Sequence, residues 1–353
     1  MTFRTLAAAL AATLCLSTGV FAVEKQNDFT VAWSIYSGWM PWGYAAEHGI
    51  IDKWADKYGI DIEVVQLNDY IESINQFTAG TYDACGMTNM DALTIPAANG
   101  VDTTALILGD YSNGNDAILL KKGQRMEDIK GQQVNLVELS VSHYLLARAL
   151  DMHGLAERDI RVMNTSDADI VAAFMTPDVT AAAVWNPQLS MIKQQTEVAE
   201  VFSSSQIPGE IIDMMAVNTE VLEANPELGK ALVGAWFETL QLMNQDTDEG
   251  RDARSWMAEH SGTDLAGYDA QLEKTKLFYT PAEAHAFAST ESLRGTMEKV
   301  RDFSFDKGLL GDGAPSADVI GMQFPDGSTL GDSANVQLRF DNRYVQMAAE
   351  GKL

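Results

Sequence analysis

Thr81-Tyr82-Asp83-Ala84-Cys85-Gly86-Met87-Thr88-Asn89 reads as a turn, a short apolar strand over 83–87 and the start of a helix. Asp178-Val179-Thr180-Ala181-Ala182-Ala183-Val184-Trp185-Asn186 repeats the pattern further along the chain. Each strand closes on an Asn that can open the following helix. Two such units imply two similar α/β lobes whose strand ends face each other.

The same alternation extends outward from both stretches. Strands are expected over 29–33, 60–67 and 103–108. Pro41 suits the first turn of a helix over 41–48, and Gly49 stops it. A helix over 70–79 ends at Gly80, and another runs from 88 to 100. A second module begins near Asn115, with strands over 117–120, 133–137, 160–163, 179–185 and 199–202. Ser140 is placed to cap a helix over 141–153 that Gly154 ends. Repeated β-loop-α order implies parallel strands and right-handed crossovers. From Glu210 onward the chain reads as helical, the clearest helices being 226–243, 251–259 and 283–307. Residues 316–332 read as loop and 335–351 as a short helix. The expected units are a signal segment over 1–22, a first lobe over 23–114 and a second over 115–207. A helical completion of the first lobe over 208–330 and a tail helix over 331–353 follow.

The chain has 353 residues, 24 basic and 50 acidic, for a net charge of −26. That balance argues against nucleic acid, which needs a basic footprint, and against docking on anionic lipid. At the amino end, Arg4 precedes an apolar run over 6–16, and Val20-Phe21-Ala22 fits a small-x-small cleavage pattern. Cleavage near Ala22 removes Arg4 and no acid, taking the charge from −26 to −27. Cys15 leaves with that segment, so the mature chain keeps only Cys85 and forms no internal disulfide. Export to a Gram-negative periplasm is expected.

Signatures of catalysis are missing. The sequence contains no G-x-S-x-G, no H-E-x-x-H, no Walker-type phosphate loop and no G-x-G-x-x-G. His48, His143, His153, His260 and His285 show no metal-ligand spacing. No catalytic residue, metal or cofactor is expected, and weight shifts from enzyme to binding protein.

Four stretches carry a resemblance to a known family: Gly38-Trp39-Met40-Pro41-Trp42-Gly43, Asp128-Ile129-Lys130-Gly131-Gln132-Gln133-Val134, Ser142-His143-Tyr144-Leu145-Leu146-Ala147-Arg148-Ala149-Leu150 and Ala183-Val184-Trp185-Asn186-Pro187. The chain resembles the periplasmic solute-binding proteins of nitrate/taurine/sulfonate-type ABC importers over about 29–235. Ala32-Trp33-Ser34-Ile35-Tyr36, Asn68-Asp69-Tyr70-Ile71-Glu72-Ser73-Ile74-Asn75, Met87-Thr88-Asn89-Met90-Asp91-Ala92-Leu93-Thr94-Ile95-Pro96 and Gln206-Ile207-Pro208-Gly209-Glu210-Ile211-Ile212-Asp213 are similar to the urea carboxylase-associated subgroup, whose ligands are urea or guanidine. The resemblance implies a type II periplasmic-binding-protein fold: two Rossmann-like lobes, a hinge and a central ligand cleft. It implies a monomer that closes on a small molecule and delivers it to a membrane permease and its ATPase.

Ligands of open α/β sheets sit beyond the strand carboxyl ends, near helix N-termini. The candidate ligand-binding residues there are Tyr36, Trp39, Asn89, Asp91, Asp116, Glu138, Ser140, Ser142, Trp185, Asn186 and Asp213. Asp110 also falls near a cleft edge. Trp39 and Trp185 can equally be packing residues, and Asp91, Glu138 and Asp213 can be helix caps or solvated charges. These loops hold several acids and no Lys or Arg. A desolvated anion would meet carboxylates there at high cost. Guanidinium fits best, since carboxylates accept its paired N–H bonds and an indole can cover its face. Urea comes second, its carbonyl needing a donor such as Asn89 or Asn186. A nitrate-, taurine- or sulfonate-type anion is the alternative. So is an aminopyrimidine-processing enzyme on the same fold, although relatives of that kind carry Cys- and His-bearing cleft motifs absent here.

Overall fold

The computed structural model describes residues 25–311 and 313–353, so the signal segment expected over 1–22 lies outside the described residues. The chain begins with strands β1 (Asp28–Ser34), β2 (Asp61–Leu67), β3 (Ala84–Thr88) and β4 (Thr103–Ser112). β1 lies between β2 and β3 and is parallel to both. Its Val31, Ala32 and Trp33 are buried, as expected of a strand covered on both faces. β2 forms one end of the sheet and keeps Asp61 and Glu63 exposed, which blunts that edge.

The chain then crosses to a second sheet made of β5 (Asp116–Leu120), β6 (Gln133–Leu136), β7 (Arg161–Asn164), β8 (Ala181–Trp185) and β9 (Ala199–Ser203), in the order β7-β6-β8-β5-β9. It returns as β10 (Ile212–Asn218), which inserts between β3 and β4. Last come β11 (Thr275–Leu277), β12 (Gly321–Gln323), β13 (Thr329–Leu330) and β14 (Val336–Phe340). β11 pairs with β4, and β14, β12 and β13 extend the first sheet beyond β4. This is the expected mixed α/β architecture of two sheets. We propose the crossings at 113–115 and 204–211 as the lobe boundaries.

Four expectations are corrected. The strands are not all parallel: β10 runs antiparallel to both β3 and β4, and β5 antiparallel to both β8 and β9. Each of these strands enters its sheet from the other lobe and so runs against its neighbours. The region after Glu210 is not uniformly helical, because β10 is central strand. Its Ile212 to Val217 are all buried, and a run buried on both faces shows no period of two. The tail is helix only over Arg343–Ala349. Val336, Leu338 and Phe340 alternate with polar Gln337 and Arg339, the period of a strand, and Leu338 pairs with Thr103 of β4. Residues 316–332 likewise contain β12 and β13 rather than loop alone.

The two crossings are fastened to each other. Ser112 Oγ lies 2.7 Å from Ser204 Oγ. Ser204 Oγ accepts the Gly114 N–H at 2.7 Å, and Ser112 Oγ accepts the Asp116 N–H at 3.1 Å. Both serines are fully buried, so these amides have little access to water. Ser204→Ala should lower unfolding stability by about 1–3 kcal/mol in urea titration, because it strands the Gly114 amide.

Candidate functional site

The carboxyl ends of β1, β3 and β8 and the start of β5 meet around a small, tightly walled cavity. Its walls are largely aromatic. Tyr36 meets Trp39 edge-on at 5.2 Å, Trp39 meets Tyr70 at 5.7 Å, and Tyr70 meets Trp185 edge-on at 5.7 Å. Trp39 precedes the helix Met40–Glu47, and its indole lies over Gly86 of β3, about 3.5 Å from where a Cβ would stand. Gly38 has a stricter role. A Cβ there would fall 2.5 Å from the Tyr36 ring and 2.6 Å from Asp110 Oδ2, so a side chain would displace one of them.

Four carboxyls gather at this cavity. Asp116 and Asp213 line it, and Asp91 and Asp110 stand just behind. All four are buried. Asp213 on β10 is directly opposite Asp110 on β4 and Thr88 on β3. Asp116 is opposite Trp185 across β5 and β8. Tyr36 Oη donates to Asp110 Oδ1 at 3.1 Å. Tyr70 Oη and Thr88 Oγ1 donate to Asp91 Oδ2 at 2.6 and 2.8 Å. Asp91 Oδ1, Asp110 Oδ2 and Asp213 Oδ2 are buried without any hydrogen-bond partner. No Lys or Arg lines the cavity.

Burial dominates the acidity of these groups. It pushes Asp91 up to about 6, against the lowering effect of hydrogen bonds from Tyr70 and Thr88. It pushes Asp116 up to about 7, with Asp91 adding a repulsive contribution. Asp110 and Asp213 are both raised by burial and stand close enough to share a proton. With no Lys or Arg among the described lining residues, these carboxyls hold protons that ordinary carboxyls would have lost.

Five of the residues expected from sequence, Tyr36, Trp39, Asp116, Trp185 and Asp213, come together in the wall. Asp91 holds Tyr70 from behind. Ser140 caps the helix Val141–Met152, accepting the Ser142 N–H at 3.2 Å. Ser142 Oγ is buried without a partner. Asp91, Ser140 and Ser142 stand outside the wall, and so do the remaining three. Asn89 pins the returning strand: its Oδ1 accepts the Ile212 N–H at 3.0 Å and its Nδ2 donates to the Glu210 carbonyl at 3.2 Å. Asn186 Nδ2 donates to Asn115 Oδ1 at 2.5 Å, and its Oδ1 accepts from Ser190. Glu138 is exposed, with its backbone N–H bonded to Asn164. Ser34, Tyr70, Thr88, Val141 and Ile211 complete the wall and were absent from the sequence set. Tyr70 had a usable signal, since it directly follows Asp69, the cap of the helix Tyr70–Thr78.

Comparison with known proteins places this geometry. Residues 42–249, more than half of the chain, match the NMT1/THI5 like family. A putative binding protein of Brucella abortus (strain 2308) is 23% identical over 262 residues, covering 72% of this chain and 75% of that protein. The taurine-binding periplasmic protein of Escherichia coli (strain K12) is 24% identical over 154 residues, covering 42% and 47%. Among solved structures, the alkanesulfonate-binding protein of Xanthomonas axonopodis pv. citri bound to MOPS superposes with a TM-score of 0.67 at 17% identity, covering 82% of this chain and 96% of that one. The nitrate-binding protein of Synechocystis PCC 6803 gives 0.57 at 13% identity, covering 93% and 98%. The sheets, the double crossing and the matched stretch lead to one assignment: the chain belongs to the NMT1/THI5 like family and has the periplasmic-binding-protein fold.

Proposed function

We propose that the protein is the periplasmic binding component of an ABC importer and captures a small, planar, donor-rich nitrogen compound, guanidinium first and urea second. One observation carries the choice of ligand. Asp91, Asp110 and Asp213 each bury a carboxyl oxygen with no donor beyond the proton that Asp110 and Asp213 can share, and among the described residues no Lys or Arg lines the cavity beside them. Guanidinium brings a full positive charge and planar N–H groups that match carboxylates in pairs. Trp39, Tyr70 and Trp185 offer aromatic surface to its faces. Urea makes the same bonds without the charge. Its oxygen would take a hydroxyl donor such as Ser34 of the wall, because Asn89 and Asn186 are engaged elsewhere.

A second reading rests on the relatives, whose names include taurine, alkanesulfonate and nitrate. The free Ser142 hydroxyl at the N-terminal turn of the helix Val141–Met152 supports it. An anion would need the neighbouring acids protonated. Turnover is disfavoured on either reading. The Cys85 thiol is buried and pushed up to about 12, which keeps it protonated and unreactive.

The ligand is tested by calorimetric titration with guanidinium, urea, taurine and nitrate. Guanidinium should bind, and Asp116→Asn should weaken it by about tenfold or more. Taurine or nitrate binding with no response to guanidinium would sink the proposal. The pH dependence separates the readings by sign. Guanidinium must displace protons from Asp91 and Asp116, so its affinity should fall as pH drops from 8 to 5. An anion should bind more tightly over the same range.

The empty protein has its own dependence. An unfolded Asp titrates near about 3.9. The folded values for Asp91 and Asp116 are about 6 and about 7, so the native state binds more protons between pH 4 and 7. Their stabilising contribution is complete below the unfolded value and is lost as pH rises through the folded ones. The melting temperature should therefore fall from pH 5 to pH 8, and Asp116→Asn should flatten that fall in calorimetry.

A further inference from the structure

Away from the two crossings, the lobes meet again at the cavity through Asp167 and Tyr70. Asp167 precedes the short helix Ile170–Met175 of the second lobe and is 5% exposed. Its Oδ1 accepts the backbone N–H of Tyr70, in the first lobe, at 3.3 Å. Tyr70 opens the helix Tyr70–Thr78, so this amide is one of the N-terminal donors that have no partner within the helix. The carboxylate also stands at the positive end of that helix. The Tyr70 ring lines the cavity and meets Trp185 of the second lobe edge-on. Its hydroxyl is fixed on Asp91. A single first-lobe residue is thus held by the second lobe at both its backbone and its ring, and it also forms part of the ligand wall.

The contact is balanced. Burial pushes Asp167 up to about 6 against the lowering effect of the Tyr70 N–H, and Asp69, which caps the same helix, adds like charge. Val137, Ile170 and Trp185 give Asp167 a largely apolar surround, where a bonded carboxylate gains more than it would in water. We propose that Asp167 is a positioning residue that latches the cleft closed, so that lobe closure and seating of the Tyr70 ring over the ligand occur together. This rests on the reading of the cavity as the ligand site.

The test uses the mature chain with Asp167→Ala and Asp167→Asn, and guanidinium as the probe. Stopped-flow tryptophan fluorescence should show dissociation about tenfold faster for Asp167→Ala, with association little changed. Asp167→Asn, which keeps one acceptor oxygen, should fall between it and the unaltered protein. A spin-label pair at Gln66→Cys and Met163→Cys, with buried Cys85 left in place, reports lobe separation without any ligand. Both Asp167 variants should shift that separation to longer distances while their melting temperatures stay near that of the labelled parent. Unchanged dissociation rates together with unchanged label distances would overturn the latch. If the unaltered protein ignores guanidinium, the ligand assignment fails, and the label distances still decide the latch.

Discussion

Burial of carboxyls without a counterion is the constraint on which the cleft depends. Asp110 and Asp213 face one another across paired strands, Asp116 lines the same cavity, and Asp91 stands behind it on the Tyr70 hydroxyl. Moving a lone carboxylate out of water costs several kcal/mol even after relaxation. The groups answer this by keeping protons and by taking what donors the chain supplies. Tyr36 and Tyr70 supply two of them, and both rings also form the wall. The aromatic lining and the acid cluster are therefore one construction: the rings exclude water, and their hydroxyls hold the acids in place.

The position of β10 makes that construction possible. It inserts between β3 and β4 and carries Asp213 to Thr88 on one side and Asp110 on the other. Asn89 secures it by bonding the Ile212 amide and the Glu210 carbonyl. Glu210 adds a further tie. Its carboxylate accepts from Tyr144 at 2.7 Å and from Arg148 at 2.8 Å in the second lobe, and from Lys299 at 2.5 Å in the first. Arg148 and Lys299 are thus spent on the connector rather than on the cavity, whose only charged lining residues among those described are Asp116 and Asp213.

Much of this was readable in the amino-acid pattern, and the parts that were not share a cause. The strand–Asn–helix units at 83–89 and 178–186 disclosed two lobes because their apolar runs are short and bounded by turn residues. β10 escaped because it is apolar on both faces, and such a run has no period to separate it from a helix. Asp213 inside Ile211-Ile212-Asp213-Met214-Met215 was a stronger sign than its position at a loop edge, since an acid within an apolar run has to be buried. Asn89 and Asn186 were expected to face the ligand because they follow strand ends. The same positions must also fasten an incoming connector, and a one-dimensional pattern does not tell a pin from a binding group. Glu138 stands in the expected loop, but its carboxylate is in solvent.

The insertion of β10 between β3 and β4 also sets an order of assembly. Translation releases β1 to β4 first, yet β3 and β4 lack the strand that joins them until Asn218 has emerged. All five strands of the second sheet lie between, so that sheet has its complete sequence while the first still has a gap at its centre. Pairings of such long sequence separation form slowly and leave strand edges open in the meantime. The amino-terminal lobe is thus the last to finish, and during synthesis it is the part that stays open to chaperones and to misassociation.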